Sequence, residues 1–124
     1  MRCAATSRRA GGERGAATVL VIGVIVALMA ATLGGLLVAG AVVASHRARL
    51  AADLAALAGA TLLRDAGTVE GSCSRAARVA AANGGALVAC RAEGLALAVV
   101  VTVPAPGWPE PARARSKAGP PSAD

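Results

Sequence analysis

Cys73 and Cys90 are the pair of side chains whose types and spacing best suit a covalent step, oxidation to a disulfide. Sixteen residues lie between them, and closing a loop of that size contributes roughly 3 kcal/mol. The alternative is two small buried thiols, as a reducing compartment would leave them. Cys3 stands apart near the N-terminus with no motif around it. His46 is the sole histidine and sits beside Arg47 and Arg49; a metal site would need further ligands at regular spacing, and the sequence offers none. Arg49 and Asp53 are four positions apart and placed to pair along a helix, in the weaker order. No Ser-His-Asp or Cys-His set can be assembled, and the Gly-rich stretches lack a phosphate-loop pattern. The basic residues lack the interleaved aromatics of a nucleic-acid surface. The expectation is a protein that is not an enzyme: no catalytic residues, no metal, no cofactor, no small-molecule substrate and no nucleic acid.

The elements that would carry these residues follow from composition. The chain has 124 residues, 56% hydrophobic, with one Trp and neither Phe nor Tyr. Soluble cores of this size normally use aromatics, whereas here the apolar content is Ala, Val, Leu and Gly, much of it in one block. From Gly15 to Ser45 no residue is charged. A bilayer needs about twenty apolar residues, and a helix over this block would span roughly 46 Å against about 30 Å of hydrocarbon. The block reads as a transmembrane helix. A cleavable secretory signal is the competing reading, with Ala39-Gly40-Ala41 as a small-residue cut site, but its apolar region would be about twice the usual length.

Net charge is +6, from thirteen basic and seven acidic residues. Arg2, Arg8, Arg9 and Arg14 precede the block; Arg47, Arg49 and Arg64 follow it. That balance favours a cytoplasmic N-terminus and an extracytoplasmic C-terminus in a single-pass cell-membrane protein, as does a Cys73–Cys90 disulfide. Every fourth residue of the block is small, at Gly23, Ala27, Ala31, Gly35 and Ala39, a helix-packing ridge of the kind that lets transmembrane helices approach.

The helix does not stop at the membrane. Leu50, Leu54 and Leu57 continue at helical spacing in line with Val43, and Gly67 after Arg64 and Asp65 supplies a stop. Such an apolar extension must pack against something. Ser72 then caps a short helix from Cys73 to about Ala82, ended by Asn83-Gly84-Gly85. Ala86–Arg91 reads as a strand, Glu93-Gly94 as a turn, and Leu95–Val103 as a second strand with Leu95, Leu97, Val99, Val101 and Val103 on one face. All six prolines follow Val103, in a segment too poor in apolar residues to pack. The expected class is membrane α plus a small α/β module, with a basic leader at 1–15, a transmembrane helix at 16–45, a helix extension at 46–66, a helix-plus-hairpin module at 67–103 and a disordered Pro-rich tail at 104–124.

A short basic leader ending Glu13-Arg14-Gly15, then Ala16-Ala17-Thr18-Val19 opening a long apolar helix, resembles the signal of type IV pilin-like proteins, cut by a prepilin peptidase between Gly15 and Ala16. The run His46-Arg47-Ala48-Arg49-Leu50-Ala51-Ala52-Asp53-Leu54-Ala55-Ala56-Leu57-Ala58, with Cys73, Ala80-Ala81-Ala82-Asn83-Gly84 and Cys90 beyond it, resembles actinobacterial TadE-like proteins, pseudopilins or minor pilins of Tad/Flp pilus and secretion machinery. The resemblance covers roughly Arg14 to Val103. It implies removal of the leader, the long helix as assembly element, other pilin-like subunits or Tad secretion machinery and a prepilin-type peptidase as partners, and incorporation into a surface fibre. The family usually carries Glu five residues after the cut, where this chain has Leu20. An unprocessed membrane anchor carrying a disulfide-stapled module is the runner-up reading, and a secreted miniprotein the third.

Overall fold

The computed structural model describes residues 11–65 and 67–121; the leader to residue 10, with Cys3, lies outside them. These residues form two helices and one three-stranded antiparallel sheet, and they divide into two units between Leu36 and Leu37. The helix α1 runs from Gly11 to Arg64, and α2 from Val69 to Ala82. The strands are β1 (Ala86–Glu93), β2 (Ala96–Val103) and β3 (Ala112–Ala118), in the order β1-β2-β3.

In the first unit, α1 presents apolar residues to the outside on every side. Every residue from Gly15 to Leu36 is exposed. Over Gly15–Arg64 the helix is long and apolar enough to cross a membrane.

In the second unit, α1 builds the core from its alanines. Ala44, Ala48, Ala52, Ala56 and Ala60 form one row at i+4 spacing; Ala51, Ala55 and Gly59 form the row beside it. All eight are buried. The opposing wall is β2, whose Leu97, Val99, Val101 and Val103 alternate inward as expected. Ser72, Ala76 and Ala80 of α2 close a further side. At Gly59 the elements come close: a Cβ there would collide with Leu97 Cδ2 and lie 2.9 Å from the Ser72 carbonyl oxygen.

Three expectations need correction, and a fourth gains its detail. The apolar extension packs through its alanines, while Val43, Leu50, Leu54 and Leu57 lie opposite the alanine rows and are exposed. A sheet can approach a helix more closely over alanines than over leucines, and the burial of β2 decides which face turns inward. Residues 104–124 are not a disordered tail throughout, because Ala112–Ala118 pairs with β2 in register from Val103↔Ala112 to Leu97↔Ala118. Its Ala112, Ala114, Ser116 and Ala118 face the core side while Arg113, Arg115 and Lys117 face out. The short helix starts earlier, at Val69, capped by Thr68, whose hydroxyl accepts from the Gly71 N–H at 3.0 Å. Ser72 is fully buried within α2 and its hydroxyl has no partner. Leu95 falls in the two-residue turn between β1 and β2 rather than on the inner face, and is exposed.

Candidate functional site

Two surfaces of the second unit and the exposed helix of the first carry the features that bear on function. The cysteines come together as a disulfide. Cys73 stands in the second turn of α2 and Cys90 in the middle of β1, with Cα atoms 5.9 Å apart. Cys90 pairs with Val99 across the ladder, so the bridge ties α2 to the strand beside the core's main wall. Val88 is an extra residue in β1 between the Leu87–Val101 and Ala89–Val100 pairs. That bulge resets the alternation so that Leu87 and Cys90 both reach the core side. The half-buried disulfide is structural in its placement: it closes a core that is otherwise mostly alanine.

The outer face of the sheet is cationic. Arg91 of β1, Ala98 of β2 and Lys117 of β3 form one cross-strand row. Glu93 links the two edge strands, accepting from Arg91 Nη2 at 2.6 Å and from Lys117 Nζ. These two partners, Lys117 first, hold the Glu93 carboxyl below its ordinary value. Arg113 and Arg115 extend the row of cations on β3. They share a cleft with Arg49 and Asp53 of α1. Arg49 and Asp53 do not form the ion pair their spacing allows; they line this cleft together with residues of β3, an arrangement that depends on the third strand. His46 is exposed on α1, and the described residues contain no group of three or more His, Cys, Asp or Glu able to hold a metal ion.

The segment between β2 and β3 returns to α1. Trp108 donates its indole N–H to the Leu37 carbonyl oxygen at 3.2 Å, and Pro104 and Pro106 flank Ala39, Gly40 and Val43 in a shallow cleft. Read as sequence, Trp108 belongs to an unanchored tail; in the fold it is seated on the helix.

Gly15 and Ala16 are exposed near the start of α1, and Gly15 has open space where a side chain would be. Of the small-residue ridge, Gly23, Ala27, Ala31, Gly35 and Ala39 are all exposed. A Cβ added at Gly23 or Gly35 would meet nothing within 4 Å outside the helix's own backbone among the described residues. The residues that sequence reasoning missed are the alanine rows at 44–60 and the cations of β3. The first were signalled by two parallel i+4 rows free of any polar residue, the second by the small/basic alternation of Ala112-Arg113-Ala114-Arg115-Ser116-Lys117-Ala118.

Comparison with family models, with curated proteins and with solved structures finds no match.

Proposed function

We propose that this chain is a TadE-like, pilin-related membrane protein, a structural or assembly subunit of a Tad/Flp-type pilus or secretion apparatus. The observation that carries the reading is the helical segment Gly15–Leu36, apolar and exposed around its whole circumference. Such a surface in water would be strongly unfavourable; burying it in lipid or against other helices removes about 25 cal/mol of cost for each Å² covered. The small-residue ridge Gly23, Ala27, Ala31, Gly35 and Ala39 gives a close-packing face for neighbouring pilin-like subunits. The exposed Val43, Leu50, Leu54 and Leu57 extend an apolar helix face beyond the bilayer. The disulfide supports an extracytoplasmic location for the second unit, with the N-terminus cytoplasmic. In this reading residues 1–15 are removed by a prepilin-type peptidase between Gly15 and Ala16. The role is structural rather than enzymatic.

A second reading is an unprocessed single-pass anchor that holds the stapled module at the envelope as a scaffold. Leu20 favours it, standing where the family's Glu would be. The intact mass of the protein from its native membrane, with and without thiol alkylation, separates the two. A chain beginning at Ala16 with Cys73 and Cys90 protected is the expected result, and Gly15→Leu should abolish that processing. A full-length chain in both wild type and Gly15→Leu, differing only by the mass of the substitution itself, would sink the processed pseudopilin in favour of the anchor. Three alkylatable thiols would sink the extracytoplasmic location of both.

A further inference from the structure

The eight residues Pro104–Pro111 leave β2, reach the surface of α1 at Leu37 and return to β3. Trp108 is the only aromatic residue in the chain. Its hydrogen bond to the Leu37 carbonyl occupies the one polar atom of the indole, and 52% of the residue nevertheless remains exposed. What it offers to its surroundings is therefore apolar ring. Gly107 fixes the loop in place: its φ is +81°, and a Cβ there would lie 2.5 Å from Leu37 Cδ2. Pro104, Pro106, Pro109 and Pro111 are exposed as well and have no N–H to desolvate. An outward-facing aromatic on a loop half stripped of backbone donors suits the zone where hydrocarbon meets headgroups better than it suits water. Glu110, on the same loop, shares a cleft with Ser45 and Arg113, so the loop also has a polar edge.

The place along the helix agrees with the chemistry. Gly15–Leu36 is 22 residues, about 33 Å of helix against a hydrocarbon thickness of about 30 Å. Leu37 is the next residue, and the first charge after it is Arg47. The uncharged run to Ser45 is longer than a bilayer requires, and its surplus is the stretch beside which the proline loop lies.

We propose that the Pro104–Pro111 loop is a membrane-interface seat: Trp108 lies at the headgroup–acyl boundary of the extracytoplasmic leaflet, and the span ends near Leu37 rather than at Ser45. The occupant of this surface is lipid. The proposal rests on the single-pass reading above, and its failure can be told apart from the failure of that reading.

Because Trp108 is the sole tryptophan, its fluorescence reports on this loop alone. The full oxidised chain is reconstituted in vesicles of phosphatidylcholine and phosphatidylglycerol, with matched vesicles brominated near the glycerol end or near the methyl end of the acyl chains. The expected result is stronger quenching by shallow than by deep bromines, with an emission maximum to the blue of water-exposed indole. A double variant, Ile25→Trp with Trp108→Phe, moves the reporter to the middle of the span and should be quenched most by the deep bromines. If that variant is quenched while Trp108 in the wild type is not, the span stands and the interface seat is overturned. A blue-shifted but unquenched Trp108 would likewise overturn it, by placing the ring in a protein contact. No quenching of either would overturn the spanning reading and the seat together.

Discussion

Glu93 shows how much of this protein's surface chemistry depends on one carboxylate. It receives Lys117 from β3 and Arg91 from β1 and so pins the two edges of the sheet across β2. Because those bonds hold its pKa below the ordinary 4.5, its contribution is fully present above that value and is lost as the pH falls through the lowered one. The group is exposed, so the effect is small and screened by salt. Protection factors of the β3 amides, with the intrinsic pH dependence of exchange divided out, should fall on acidification below the ordinary value, and Glu93→Gln should remove that acid-dependent step while leaving protection at neutral pH lower than in wild type. An acid profile unchanged by Glu93→Gln would show that the linkage is not made.

At the scale of the element, α2 tests which residue begins the helix. Thr68 supplies the cap and Ser72 is buried one turn further on with its hydroxyl unsatisfied. Thr68→Ala should therefore lower stability by about 1 kcal/mol. Ser72→Ala should be neutral or stabilising, because it removes a desolvated hydroxyl without breaking any hydrogen bond. Denaturant midpoints of the two variants, measured on the oxidised chain in detergent, should move in this unequal way. A larger loss for Ser72→Ala than for Thr68→Ala would restore Ser72 as the functional cap.

For the whole molecule, the decisive fact is that α1 divides its two faces between different tasks. Ala56 is buried against the sheet side while Leu57, its neighbour in sequence, is 57% exposed. Leu57→Lys places a cation four residues after Asp53, in the favourable helical order, and should leave the stability of the second unit within about 0.5 kcal/mol of wild type. If this face packs against other subunits, as the pilin-like reading holds, the same variant should lose cross-linked oligomers in native membranes. Ala56→Lys buries an unpaired charge and should destabilise the unit by roughly 3 kcal/mol or more. Wild-type oligomers surviving in Leu57→Lys would remove the leucine face from the assembly surface.

Much of this arrangement is legible in the residues. The uncharged run from Gly15 determines a long apolar helix, the alternation of Leu97, Val99, Val101 and Val103 determines a strand with one buried face, and Asn83-Gly84 determines where α2 ends. These are local matters, decided by periodicity and backbone freedom within a few residues. The disulfide was readable as a pairing, since two cysteines in a small module have few alternatives. Tertiary structure decided the rest. Leucines at helical spacing look like a core face until a sheet with its own large residues takes the opposite side, where only alanines and Gly59 leave room. Ala112–Ala118 has too little apolar surface to form a strand by itself; it becomes one because the free edge of β2 supplies hydrogen-bond partners and its small residues fit the space left over the core. Trp108 could not be placed from its neighbours at all, because its partner is a carbonyl oxygen 71 positions away.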